Sequence, residues 1–168
     1  MLLTANTIPL SSRFGDEKAI QMLADAGFDG IDYSVSNLEN FPSAFSGDHI
    51  DYAKNLKKFA YEKGIKFTQA HAPMPYASTK EEYIAVRTEQ TIMAMEVASI
   101  IGAEVIIVHP LMFGAYKEKR LEFYDMNMAF FHSLIPYAKK YGIKIACENI
   151  FHTGEKGMVD GCCASPEE

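Results

Sequence analysis

The sequence predicts an α/β fold in which helices alternate with parallel strands. Two observations carry that prediction. Glycines 27, 64, 102 and 142 recur at spacings of 37, 38 and 40 residues. Each sits between a helix-like stretch and a short apolar run, where a glycine accepts the left-handed conformation that ends a helix. The apolar runs are continuous, as in strands covered by helices.

The elements follow in order. A first strand is expected near 3–8, and a short helical stripe through Ala19, Ile20, Leu23 and Ala26. The joint Ala26-Gly27-Phe28-Asp29-Gly30-Ile31 leads into a second strand near 30–35. Ile50, Ala53, Leu56 and Ala60 recur at helical spacing, and Lys63-Gly64-Ile65-Lys66-Phe67 opens a third strand near 66–71. Ser78-Thr79-Lys80-Glu81 resembles a capping box before the stripe Ile84, Thr88, Ile92, Met95, Ala98 and Ile101. A fourth strand near 104–109 follows Gly102. Leu121, Tyr124, Met128, Phe131, Ile135 and Ala138 form another apolar stripe, in which Pro136 is expected to kink the helix. Gly142 then precedes a fifth strand near 144–150. This β-α repetition requires parallel strands and right-handed crossovers.

The last residues, Ser165-Pro166-Glu167-Glu168, read as the start of a further helix: a capping serine, a proline suited to the first turn, and acidic residues. Five units of this size extrapolate to eight strands in roughly 300 residues, the size of a TIM barrel. Residues 1–168 are therefore expected to be one domain, the N-terminal five-eighths of a (β/α)8 barrel truncated after its fifth strand, with the remainder missing. A complete five-stranded doubly wound sheet is the rival architecture.

Composition bounds the function. Net charge is −6, and no local run of lysine or arginine offsets it, so nucleic acid is not the expected partner. The three cysteines, Cys147, Cys162 and Cys163, are odd in number and do not suggest a disulfide framework. Cys162-Cys163 lacks C-x-x-C spacing and reads as an inert pair. A reducing, cytoplasmic setting is expected. The N-terminus does not resemble a signal peptide, and no apolar run has the length of a membrane span.

Three strand ends carry groups that can ligate a metal: His71 in Phe67-Thr68-Gln69-Ala70-His71-Ala72-Pro73, His109 in Val105-Ile106-Ile107-Val108-His109-Pro110, and Glu148 in Ile145-Ala146-Cys147-Glu148-Asn149-Ile150. Adjacent parallel strands are about 4.8 Å apart, so three such rim residues can converge on one ion. Two imidazoles and a carboxylate suit zinc, manganese or iron better than calcium. Pro73 and Pro110 mark where each ladder stops. The plain alternatives stand beside this reading. Either histidine can be a hydrogen-bonded structural residue, and Glu148 can be held by an internal ion pair, since a carboxylate in an apolar run needs a partner. Asp32 reads equally as a rim residue or a solvated loop acid. His49 and His132 fall in helices, His152 follows the fifth strand, and Phe113 and Tyr116 can wall a pocket or simply pack.

The repeats, "DAGFDGID", His71-Ala72-Pro73, "VIIVHP", "ACENI" and the terminal "SPEE" together resemble the xylose-isomerase-like TIM barrels. That superfamily includes sugar-phosphate isomerases and epimerases and the endonuclease IV family. The resemblance implies a divalent cofactor such as manganese, zinc, magnesium or cobalt. It implies that Glu148 binds the metal and moves a proton next to a carbonyl. It implies that His71 and His109 bind metal or line the substrate pocket. The implied activity is isomerisation or epimerisation of a sugar or sugar phosphate by enolisation. An endonuclease IV-like phosphodiester hydrolase and a non-catalytic truncated product are the alternatives. The open edges of a partial barrel are also expected to favour self-association.

Overall fold

A computed structural model describes residues 1–74, 80–112, 116–154 and 157–165. The elements run β1 (Thr4–Asn6), α1 (Ile8–Phe14), α2 (Asp16–Asp25), β2 (Gly30–Ser34), α3 (His49–Glu62), β3 (Lys66–His71), α4 (Glu81–Ile101), β4 (Val105–Val108), α5 (Arg120–Tyr141) and β5 (Lys144–Cys147), with a 3-10 turn at Tyr116–Glu118. A hairpin, β6 (Phe151–Gly154) and β7 (Gly157–Asp160), follows.

The four joints close in the same way. Gly27, Gly64, Gly102 and Gly142 all have positive φ. The amide after each glycine donates to the carbonyl five residues back: Phe28 to Leu23, Ile65 to Ala60, Ala103 to Ala98, and Ile143 to Ala138, at 3.0–3.1 Å. This bond satisfies a carbonyl that the helix end would otherwise orphan, and it turns the chain toward the next strand.

The five strands pair in the order β1-β2-β3-β4-β5, every pair parallel. A sequential order distinguishes the two expected architectures. A doubly wound sheet reverses its strand order at a switch point, and this sheet does not. Successive right-handed crossovers put α2, α3, α4 and α5 side by side on one face, as in a barrel wall. The main core lies between that face and the helices, with Ile20, Leu23, Leu56, Met95, Ile106 and Leu134 at its centre.

One irregularity tunes the sheet. Between β2 and β3 the register jumps from Ile31↔Phe67 to Asp32↔Gln69, so Thr68 is an extra residue on β3. The Thr68 hydroxyl donates to the Ile31 carbonyl at 2.9 Å. Strict alternation would put Phe67 and Ala70 on opposite faces. The bulge places both in the helix-side core and leaves Gln69 and His71 on the other face.

Several local expectations shift. The first crossover contains two helices, because Gly15 (φ 81°) separates α1 from α2. Lys80 occupies the N-cap position of α4 and makes no side-chain cap bond, while Ser78 and Thr79 lie outside the described residues. Pro136 lies inside α5, as expected, and the helix runs on to Tyr141. β5 stops at Cys147, because the following residues turn into the hairpin. Of the expected stripe, Leu121, Tyr124, Met128 and Ile135 are exposed, while Phe131 and Ala138 pack against the core beside the inward-facing Phe123, Asn127, Phe130 and Leu134. α5 is thus apolar on two faces, and only one is covered. Pro166, Glu167 and Glu168 are outside the described residues.

Candidate metal centre

His71 ends β3, His109 follows β4 and Glu148 follows β5, all at the C-terminal rim of the parallel sheet. The ladder sets their alignment. His71 pairs with Ile107, Val108 pairs with Cys147, and the Glu148 amide donates to the Val108 carbonyl at 3.2 Å. His109 and Glu148 are therefore level, one step past the last pair.

The three side chains converge. Glu148 Oε2 lies 2.5 Å from His109 Nε2 and 3.7 Å from His71 Nε2, and one donor atom from each residue falls within 4.8 Å of the others. The two imidazole rings are 5.8 Å apart between centroids and tilted by 36°.

Behind His71 stands a second carboxylate. His71 Nδ1 is 2.8 Å from Asp32 Oδ1, and Asn6 Nδ2 donates to Asp32 Oδ2 at 3.0 Å. Asn6 is itself fixed by the Ser34 hydroxyl, which donates to its Oδ1 at 3.0 Å. Asp32 is only 8% exposed, so it is a rim residue and not a solvated loop acid. Its acceptor oxygen fixes the proton of His71 on Nδ1, which leaves the lone pair of Nε2 facing Glu148.

The electrostatics follow from the same contacts. The Asp32 hydrogen bond raises the His71 pKa above the ordinary imidazole value, against the opposing effect of burial. Burial pushes Asp32 upward, but the hydrogen bonds from His71 and Asn6 outweigh it and hold the carboxyl below the usual range. Burial lowers His109, with Glu148 opposing and His71 adding to the shift. A histidine kept neutral is the form that ligates a metal.

The donor set fits a divalent ion. In a tetrahedral site with bonds of about 2.1 Å, ligand atoms are about 3.4 Å apart. The His71–Glu148 separation is close to this, and His109–Glu148 is tighter and would open by about 1 Å. Glu148 Oε2 is buried and has no hydrogen-bond partner among the described residues. Its contact with His109 is therefore a close approach without hydrogen-bond alignment. A cation between the three donors would satisfy that oxygen.

The profile of the xylose isomerase-like TIM barrel family matches residues 20–168. This chain belongs to that family. Among proteins of curated function, none matches the sequence. Solved structures similar to this barrel chain include a D-tagatose 3-epimerase-like protein, at 21% identity and TM-score 0.70, covering 95% of this chain and 56% of that one. Another is the D-psicose 3-epimerase of Clostridium cellulolyticum H10, solved with D-tagatose, at 14% identity and TM-score 0.65, covering 89% and 53%. A third is a xylose isomerase-like TIM barrel protein of Mycobacterium smegmatis, in complex with magnesium, at 15% identity and TM-score 0.64, covering 88% and 55%. The chain spans little more than half the length of these structures.

The remaining sequence candidates lie elsewhere. His49 pairs with Glu96 at 2.9 Å, and His132 is an exposed residue of α5. The His152 side chain and Phe113 fall outside the described part. Tyr116 is buried against Phe123, and it lines a cavity of about 230 Å³ on the α5 side of β5 that none of the three candidate ligands reaches. Asn6 and Ser34 had no sequence signal. The hairpin did have one, since Gly154 and Gly157 bracket a two-residue link.

Proposed function

We propose that this chain is the N-terminal part of a divalent-metal-dependent isomerase or epimerase acting on a sugar or sugar phosphate. The observation that carries the reading is the convergence of His71, His109 and Glu148 on the barrel rim, with Asp32 orienting His71. His71 Nε2, His109 Nε2 and Glu148 Oε2 would hold the ion. When bound, such an ion polarises a ketose carbonyl and its neighbouring hydroxyl.

The chain's own groups supply positioning and proton movement. Asp32 keeps the His71 ring in one orientation and one tautomer. Burial keeps His109 neutral and available as a donor. Glu148 turns Oε2 toward the imidazoles, which leaves Oε1 to take the proton from the carbon beside the carbonyl as general base. Returning that proton to the same carbon on the other face gives an epimer, and returning it to the neighbouring carbon gives an isomer. The names of the matched epimerases support a sugar substrate.

The test uses the full-length gene product with a ketose in deuterated water. Metal-dependent incorporation of solvent deuterium at the carbon beside the carbonyl is expected, and Glu148→Gln should abolish it. Normal exchange in Glu148→Gln rules the mechanism out. A second reading, phosphodiester hydrolysis, draws on the same observation, because both histidines meet the carboxylate. Salt-sensitive binding to abasic duplex DNA would favour it over the sugar reading.

A further inference from the structure

We propose that Cys147 and Cys163 form an oxidisable dithiol whose product is an intrachain disulfide tying the segment after hairpin β6–β7 to strand β5. The two sulfurs are already 3.3 Å apart. Cys147 is exposed and Cys163 is partly so, and both line the 230 Å³ cavity beside α5, which gives a small oxidant a route.

The backbone aims the pair. The Gly161 amide donates to the Ile150 carbonyl at 2.8 Å, and the Ile150 amide donates to the Cys162 carbonyl at 3.1 Å. These two bonds close the base of the hairpin and fix the chain one residue before Cys163. A side chain at Gly161 would bring its Cβ within 2.9 Å of the Ile150 carbonyl oxygen, so the crossing needs glycine. Cys163 then takes φ 58°, the sole positive φ at a non-glycine residue among the described residues. That conformation is uncommon for a residue with a Cβ, and strain of this kind concentrates at functional positions.

The neighbouring thiol is excluded by its own packing. Cys162 is buried, with Sγ 3.6 Å from the Leu111 carbonyl and 3.9 Å from Asn127 Nδ2. It anchors the segment in the cluster of Tyr116 and Phe123. Adjacent cysteines therefore have separate roles: Cys162 packs, and Cys163 meets Cys147.

The chemistry balances with a peroxide as oxidant. One thiol sulfur attacks the peroxide, the O–O bond breaks, and a sulfenic acid and water form from hydrogen peroxide. The second sulfur attacks the sulfenic sulfur, the S–S bond forms, the S–O bond breaks, and a second water leaves. Two thiols are oxidised by two electrons in all, and the peroxide is reduced. The bridge closes residues 148–162 into a loop beginning at Glu148, so oxidation restrains the residue that carries the proposed site. The inference rests on thiol geometry and stands whether or not the rim binds a metal.

The experiment treats the reduced chain with hydrogen peroxide, alkylates remaining thiols, and maps peptides by mass. The expected product, read by mass under denaturing conditions, is a single chain lighter by two hydrogens, with one intrachain cross-linked peptide pair joining Cys147 to Cys163. Cys162 should be alkylated only after unfolding. Cys162→Ser should keep the cross-link, and Cys147→Ser and Cys163→Ser should each lose it. A Cys162–Cys163 bridge, an intermolecular bridge, or oxidation to sulfinic acid with no bridge in the wild-type chain would overturn the proposal.

Discussion

His71 Nδ1 lies 2.8 Å from Asp32 Oδ1, which makes Asp32 the residue that orients the first candidate ligand. Asp32→Asn should weaken binding of manganese or zinc by about 10–100-fold, the usual effect of losing such a partner. Calorimetric titration of the chain reads this directly. Unchanged affinity would mean that Asp32 does not orient the ring.

The same pair gives a pH prediction. His71 has a raised folded pKa, so its contribution to stability is fully present below about 6.5 and is lost as pH rises through the folded value. Asp32 has a lowered folded pKa, so its contribution is present above about 3.8 and is lost as pH falls through the folded value. The pair therefore stabilises most between those limits. Thermal melts of wild type and Asp32→Asn should differ more near pH 5.5 than near pH 8.5. A constant difference would contradict the assignment.

Much of this centre was legible in the sequence, because a rim residue is announced by the strand before it. Val105–Val108 and Lys144–Cys147 are short apolar strands, and the residue after each is His109 or Glu148. What was not legible depends on three-dimensional coincidence. Asp32 could be read as a rim residue or a loop acid, and only the bulge at Thr68 aligns it with the His71 face. The α5 stripe misleads for another reason. Periodicity reports an apolar face, and α5 has two, so the stripe of Leu121, Tyr124 and Met128 does not reveal which one meets the sheet. Cys163 meets Cys147 only because the hairpin folds back, and nothing near Cys147 in sequence signals that.

Gly30 sits where two strands leave no room. A Cβ there would lie 2.4 Å from Thr68 Cγ2 and 3.2 Å from Thr4 Cγ2. Thr68 is held by its bond to the Ile31 carbonyl, so it cannot turn away freely. Gly30→Ala should cost about 1–3 kcal/mol, typical of overpacking. Adding Thr68→Ser removes the offending methyl, keeps the hydroxyl and should recover most of the loss. Urea denaturation of both variants checks this, and a double mutant no better than the single would count against the steric account.

Asp16 is buried at the start of α2, and its Oδ2 accepts from the Tyr33 hydroxyl at 2.7 Å and lies 2.9 Å from that of Tyr52. Burial raises its pKa, and the tyrosine hydrogen bonds oppose that only in part. A carboxyl raised in the folded state stabilises fully below about 3.8, and the contribution is lost as pH rises through the folded value. Asp16→Asn keeps an acceptor for the tyrosines and removes the charge. Its stability relative to wild type should therefore improve from pH 3.5 to pH 7, as read from urea midpoints. A relative stability that falls over that range would show that the ionised form is the favoured one.

The uncovered face of α5 makes the last prediction. Leu121 is 80% exposed, and Tyr124, Met128 and Ile135 are also open to water. This face runs beside β5, whose outer edge has no partner in the five-stranded sheet. An apolar helix face next to an open strand edge combines two features that drive association. In the 168-residue chain the available cover is a second copy, so light scattering after size exclusion should show dimers or larger species whose fraction rises with concentration. Replacing Leu121 and Met128 with glutamate removes apolar area and adds like charges that would face each other across a symmetric contact. That variant should elute as a monomer with its melting temperature little changed, because neither side chain is in the core. A wild-type chain that stays monomeric over the whole concentration range would show that the face tolerates water by itself.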